Sequence, residues 1–313
     1  MTKPTIFIDG EHGTTGLEIR QRLEGDARFD LKSIAPELRK DAGARREMLA
    51  SVDLAILCLP DDASKEAAAL ADGLPGGGPK LIDASTAFRV APDWTYGFPE
   101  LTDAQGGLVA ASRRVSNPGC YPTGAVALIR PLVDAGIIPV DYPVSINAVS
   151  GYSGGGKSMI EAYESGRGPS FDLYGLGMNH KHVPETQLYA GLTTRPIFVP
   201  SVGNYKQGML VSVPLHLDTL KGKPALAEIE AVLVKRYAGS QWVSVIANPL
   251  NEGRKDRIDA EPLNHTNKLE LRVYGNESHR QAVLVARLDN LGKGASGAAV
   301  QNAMLMLGVS GSV

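Results

Sequence analysis

Short apolar runs alternate with stretches of helical period through the first half of the chain. Thr5–Asp9, Leu31–Ala35, Leu54–Leu59 and Lys80–Ala84 read as strands, with helices between them such as Leu17–Glu24 and Ser64–Ala71. Strands and helices in alternation imply βαβ units and a parallel sheet. The Gly-Pro cluster Gly73–Pro79 reads as a loop inside that region rather than a linker between domains. Beyond residue 120 the pattern changes. Val211–Leu217 and Leu269–Val273 alternate apolar with polar positions, and Val283–Leu288 does so less cleanly. Period two predicts a mixed or antiparallel sheet with one solvated or helix-covered face. Helices are predicted over Lys157–Glu164 and Ala225–Tyr237, and the small, apolar stretch Gly292–Leu307 reads as a buried helix.

The length, 313 residues, suits two domains. A formal net charge of −2 gives no basic excess for nucleic acid and no charge block for a membrane surface. No apolar run approaches the roughly 18 to 20 residues that span a bilayer, and the opening Met1–Asp9 does not have the pattern of a signal peptide. Two cysteines, Cys58 and Cys120, make neither a disulfide framework nor a metal cluster. The expectation is a cytoplasmic protein with reduced thiols.

Gly10-Glu-His-Gly13-Thr14-Thr15-Gly16 follows the first predicted strand and opens the first helix. Glycines there allow a tight turn and let backbone N–H groups approach a pyrophosphate, to which the helix N-terminus presents partial positive charge. The spacing is GxxGxxG rather than GxGxxG. An acidic residue ending the second strand would favour NAD. Here the second strand ends near Ser33–Ala35 with Glu37 following, and Arg39, Lys40, Arg45 and Arg46 come soon after, a set suited to a 2′-phosphate and hence favouring NADP(H).

Ser116-Asn117-Pro118-Gly119-Cys120-Tyr121-Pro122-Thr123-Gly124 is a polar turn ahead of an apolar-periodic helix carrying Ala125, Leu128, Ile129 and Leu132, which Gly136 closes. A cysteine at a helix start gains thiolate character from the helix dipole and the first-turn N–H groups, and those groups also suit an oxyanion. Cys58, inside Ala55–Leu59, reads as a structural cysteine. The run His180-Lys181-His182-Val183-Pro184-Glu185 supplies a general acid–base and a partner for a Cys–His dyad. His-x-His on a strand would also suit a metal, but His12, His216, His265 and His279 lie in unrelated contexts, and no metal site is expected.

These motifs, with Asp83–Arg89, Tyr96–Glu100, Val149–Lys157 and Asp289–Gly297, resemble the N-acetyl-γ-glutamyl-phosphate reductase family, short class, within the aspartate-semialdehyde dehydrogenase-like superfamily. The resemblance spans nearly the whole chain. It implies an α/β fold: a Rossmann dinucleotide-binding domain over residues 1–118 and 290–313, and an α/β catalytic and dimerisation domain with a mixed sheet over 119–289. It implies Cys120 as nucleophile and His180 as acid–base. Asn117, Arg89, Ser153, His182 and Glu185 would bind or position substrate, or, for His182 and Glu185, orient the dyad. Gly10, Gly13, Thr14, Thr15, Gly16, Ser85, Gly154, Gly155 and Lys157 would bind NADP(H). The substrates would be an N-acetyl-γ-glutamyl phosphate and inorganic phosphate, in arginine biosynthesis, and the assembly a homodimer or homotetramer. His12 would point to solvent. Three other readings stand beside this one: the same chemistry on aspartyl or acylated aminoadipyl phosphate, a cofactor-free cysteine hydrolase, and a non-catalytic dinucleotide sensor.

Overall fold

The structure, a computed structural model, describes residues 3–247 and 256–311. The chain divides into two compact units. One comprises Met1–Pro99, Asp103–Pro118 and Ala295–Val313, and the other Glu100–Thr102 and Gly119–Gly294.

The first unit is built on strands β1 (Thr5–Asp9), β2 (Asp30–Lys32), β3 (Leu54–Leu57), β4 (Lys80–Asp83), β5 (Thr95–Tyr96) and β6 (Arg114–Ser116). Helices α1 (Thr14–Leu23), α2 (Ala42–Ala50), α3 (Asp61–Asp72) and α4 (Gln105–Ala111) connect them. Every pairing is parallel, in the order β2-β1-β3-β4-β6-β5. Period two sends alternate side chains of β1 to opposite layers. Ile6 and Ile8 join a buried cluster with Ile19, Leu54, Ile56 and Ile82. Phe7 points the other way, among Leu49, Ala55, Leu57, Ala67, Ala71 and Leu81. A sheet buried on both faces explains why these strands read as continuous apolar runs. The order reverses between β1 and β3, the place where open α/β sheets bind ligands.

The second unit carries α5 (Cys120–Asp134), β7 (Ser145–Gly151), α6 (Gly156–Glu164), β8 (Phe171–Leu173), α7 (Val183–Ala190), β9 (Ile197–Gly203), β10 (Met209–His216), α8 (Leu226–Tyr237), β11 (Val243–Val245), β12 (Leu269–Asn276) and β13 (Gln281–Leu288). Its mixed sheet runs β11-β12-β13-β10-β7-β9-β8. In β10, Val211, Val213 and Leu215 are buried while Leu210, Ser212 and Pro214 are not, so the alternation seen in the sequence marks one covered face. Helix α5 covers it and is buried nearly all round. Gly124 permits the approach: a Cβ there would stand 2.9 Å from Val211 Cγ2 and 3.3 Å from Ala286 Cβ. Gly136, at φ +71°, closes the helix region.

The remaining helix, α9 (Gly297–Leu307), returns to the first unit, where Ala299, Val300, Ala303, Met304 and Met306 complete the cluster around Ile6 and Ile8.

Several expected boundaries move. β2 ends at Lys32 rather than Ala35, and α1 begins at Thr14 rather than Leu17, directly after the glycine turn. Gly292–Ser296 forms a π-turn, so the final α-helix starts only at Gly297. The loop Gly73–Pro79 contains a 3-10 turn, Pro75–Gly77. His180 and His182 stand in a turn ahead of α7 and not on a strand, since Val183 N–H donates to His180 O at 3.0 Å.

Candidate active site

The glycine turn sits at the C-terminal end of β1. Gly10 adopts φ +91°, and a Cβ there would run into the carbonyl oxygen of Cys58 at the end of β3. Gly16 lies against the Gly10 carbonyl, where a Cβ would also collide. Gly13 N–H donates to Gly10 O at 3.0 Å, and Gly13 caps α1 without any side-chain acceptor. Thr14 and Thr15 occupy the first helical turn. Bare backbone at a helix start, made possible by three glycines, fits the pyrophosphate of a dinucleotide. A cavity of about 100 Å³ beside it is lined by Asp9, Gly10, Glu11, His12, Gly13, Ile34 and Arg39. The His12 side chain is mostly exposed.

The four basic residues past β2 separate into different roles. Arg45 is committed to Asp9, with an N···O distance of 2.7 Å and both side chains largely buried, so the structure removes it from the 2′-phosphate set. Arg46 donates to Gly73 O at 3.1 Å. Arg39 alone among the four lines the cavity. Where an NAD enzyme would carry a ribose-binding carboxylate there is Ser33, which donates to Glu11 at 3.0 Å; Arg20 meets the same carboxylate at 2.6 Å.

Other expected site residues of the first unit act as braces. Ser85 Oγ donates to Asp83 at 2.7 Å and accepts from Ala87 N–H at 3.0 Å. Arg89 is buried and donates to the carbonyls of Asn117 (3.1 Å) and Ala84 (3.3 Å). Asn117 is buried too, donating to Ala295 O at 2.9 Å and accepting from Asn302 at 3.2 Å. Burial pushes the Cys58 thiol far above its ordinary range, which makes it a poor nucleophile.

In the second unit Cys120 is the first residue of α5, and Gly119 is its N-cap. Cys120 opens onto a cavity of about 200 Å³ shared with His180, Lys181, His182, Tyr174, Gly154, Gly155 and Met159. The imidazole rings of His180 and His182 stand 4.8 Å apart. His180 Nδ1 accepts the His182 backbone N–H at 3.2 Å, so the neutral ring carries its hydrogen on Nε2. Burial first, and then the Lys181 cation, hold the His180 pKa below its usual value. Tyr174 OH donates to Tyr121 OH, which donates to Ser201 O, both at 3.1 Å. Burial raises Tyr174 to about 12, so it stays a neutral phenol.

Three expected residues do not line this cavity. Ser153 is buried and accepts from Asn290 Nδ2 at 2.9 Å. The Lys157 side chain is 85% exposed on α6, 3.9 Å from Glu161. Glu185 is 1% exposed and accepts the Gly119 N–H at 2.8 Å, which places it under the cysteine turn. Sequence reasoning missed Tyr174 and Lys181 at the cavity. Lys181 was visible inside His-x-His; Tyr174 carries no local pattern. Among the described residues no group of three or more His, Cys, Asp or Glu is arranged to hold a metal, and no helix is long and apolar enough to cross a membrane.

Residues 32–106 match the family described as semialdehyde dehydrogenase, NAD binding domain, and residues 120–290 match semialdehyde dehydrogenase, dimerisation domain. Solved structures share the fold. Aspartate semialdehyde dehydrogenase II of Vibrio cholerae, complexed with ASA, superposes with a TM-score of 0.71 at 16% identity, covering 98% of this chain and 99% of that one. The Candida albicans aspartate semialdehyde dehydrogenase with NADP gives 0.67 at 13%, over 97% and 98%. Fold and matches together define an NAD(P)-binding oxidoreductase of the semialdehyde dehydrogenase type. Curated N-acetyl-gamma-glutamyl-phosphate reductases of Brucella suis and Brucella ovis are 56% and 55% identical to the chain over 312 residues, covering 98% of it and 99% of each relative. The chain belongs to the N-acetyl-γ-glutamyl-phosphate reductase family.

Proposed function

We propose that this enzyme reduces N-acetyl-γ-glutamyl phosphate to N-acetyl-L-glutamate 5-semialdehyde, with release of inorganic phosphate, through a thioester on Cys120, and that its cofactor is NADP(H). The observation that carries the reading is Cys120 at the first position of α5, in one cavity with His180 and Lys181.

Cys120 Sγ attacks the acyl carbon, the C–O bond to phosphate breaks, and the thioester forms. The bound nicotinamide cofactor supplies the hydride that reduces this thioester. The N–H groups of Cys120 and Tyr121, at the start of α5, face the oxyanion that develops at each stage. His180, with its hydrogen on Nε2, donates to the same oxygen. Collapse of the thiohemiacetal expels the Cys120 thiolate and frees the aldehyde. Gly10, Gly13, Thr14, Thr15 and Gly16 would hold the pyrophosphate, with Arg39 at the 2′-phosphate. Gly154 and Gly155, whose backbone lines the cavity, leave room for substrate or nicotinamide. We also propose a cytoplasmic homodimer or homotetramer; the dimerisation-domain match over residues 120–290 supports self-association.

The test is a reverse assay with N-acetylglutamate semialdehyde, phosphate and NADP. Phosphate-dependent formation of reduced cofactor, abolished by a thiol alkylator, is the expected result. Reduction seen only with aspartate semialdehyde or an acylated aminoadipate semialdehyde would move the substrate and keep the chemistry.

A further inference from the structure

A chain of two phenols ends in the Cys120 cavity. Ser201 O, a backbone carbonyl of β9, can only accept, and Tyr121 OH donates to it at 3.1 Å. That bond uses the one hydrogen of Tyr121. Tyr174 OH, 3.1 Å from Tyr121 OH, must therefore be the donor of their hydrogen bond. A phenol has a single hydrogen, so Tyr174 faces the cavity it lines with lone pairs alone. The chain is firmly seated. Tyr121 is buried, and its ring meets Phe198 edge to face, 5.2 Å between centroids. Tyr174 follows directly on β8, whose Leu173 pairs with Ser201, and its N–H donates to Pro200 O at 3.2 Å. Strand pairing thus sets Tyr174 beside the carbonyl that gives the chain its direction.

The same cavity is well supplied with donors. Lys181 offers an ammonium, His180 carries its hydrogen on Nε2, and no lining residue is a carboxylate. Met159 and Val202 add apolar wall, which suits a small acyl methyl. We infer that Tyr174 is a specificity-determining residue: its hydroxyl oxygen accepts the N–H of the substrate's N-acyl amide and disfavours a compound that presents an acceptor at that place. This rests on the N-acetylated substrate proposed above. The phosphate, the acyl oxygen and the carboxylate of such a substrate all call for donors. Its amide N–H is the one group that must give a hydrogen bond at neutral pH, and Tyr174 is fixed to accept one. An ester in place of the amide would set oxygen lone pairs against those of Tyr174. To turn its hydrogen toward such an ester, Tyr174 would have to give up its bond to Tyr121, so the substrate contact and the buried chain compete.

The experiment compares N-acetylglutamate semialdehyde with its ester isostere, 2-acetoxy-5-oxopentanoate, in the reverse assay on the full chain. The isostere replaces N–H by O and leaves the aldehyde unchanged. The wild type should prefer the amide by about a hundredfold in kcat/KM, since a hydrogen bond is lost and a lone-pair contact made. Tyr174→Phe removes the oxygen and keeps the ring. Its KM for the amide should rise about tenfold, with kcat falling less than KM rises, and its preference for the amide should all but vanish. Tyr121→Phe frees the Tyr174 hydrogen to turn into the cavity and donate to the ester, so its preference should drop to about tenfold. Only this ratio is read, so any effect of the variant on turnover that is common to both compounds cancels. A Tyr174→Phe enzyme with wild-type KM or undiminished preference overturns the inference. A Tyr121→Phe enzyme that keeps the full preference overturns the fixed direction on which it stands. Failure of the proposed substrate shows separately, as a wild type inactive on both compounds, and would overturn both readings.

Discussion

Gly294 lies directly against Cys120: a Cβ built on Gly294 would stand 2.8 Å from Cys120 Cβ and 3.2 Å from its Cα. The π-turn Gly292–Ser296 brings the two together, and only a residue without a side chain fits. Gly294→Ala should displace Cys120 and overpack the turn, costing about 1–3 kcal/mol of stability. The larger effect should be on kcat, down about tenfold to a hundredfold. Thermal denaturation and steady-state kinetics check both, and wild-type turnover would contradict the packing argument.

Cys120→Ser should abolish turnover while leaving dinucleotide binding intact, because the glycine turn belongs to the other unit of the chain. Fluorescence titration with NADPH and a turnover assay on the same preparation separate the two. Cys58→Ser should leave turnover within about twofold, since that thiol is buried in β3's shadow and held protonated.

The pH dependence has a definite sign. Burial and Lys181 depress His180, so the ring is neutral at pH 7. The acid limb of kcat that it governs should lie below about pH 6.5, the ordinary histidine value. On folding, the unfolded chain takes up this proton first; stability is therefore lost as pH falls below that value and regained above it. Lys181→Met should move the limb upward by removing a neighbouring cation. As the cation lining a cavity with no carboxylate among its lining residues, Lys181 should also matter for anionic substrate. We expect KM for the acyl phosphate, or for phosphate in reverse, to rise about tenfold. A KM within twofold of wild type would argue against that contact.

Gly10→Ala combines two penalties, a positive φ and a collision with the Cys58 carbonyl. A loss of about 1–3 kcal/mol is expected, read by denaturant unfolding, with weakened dinucleotide affinity.

Arg39→Ala should raise KM for NADPH about tenfold and leave NADH unaffected. Arg45→Ala should instead destabilise the fold, because it strands the buried Asp9 carboxylate. An Arg45 variant with selective loss of NADPH would reverse these assignments.

Much of the architecture was legible because it follows from periodicity. Ala125, Leu128, Ile129 and Leu132 announced α5, and Val211, Val213 and Leu215 announced the covered face of β10. What the sequence hid was tertiary. Ser33–Ala35 is as apolar as a strand end, yet β2 stops at Lys32. Arg45 looked like a phosphate ligand until burial against Asp9 showed its partner. β9 carries Pro200, which weakens a strand signal, although it pairs in register with Ala148. Cys120 and the histidine run were readable as chemistry. The support of the cysteine by Glu185 and Gly294, 65 and 174 positions away, was not, because no local pattern encodes a contact made by chain return.

The core of the dinucleotide-binding unit is closed by a helix that is made only after the whole of the other unit. Ala299, Val300, Ala303, Met304 and Met306 fill the layer against Ile6, Ile8, Leu54 and Ile56, but the 176 residues Gly119–Gly294 of the other unit are synthesised in between. During translation the glycine turn therefore emerges on a sheet with one face only partly covered, by Ile19, Leu23 and Val109, and the other unit is complete first. Competence to bind dinucleotide should arrive late, which ties acquisition of the cofactor to a chain whose Cys120 turn is already folded.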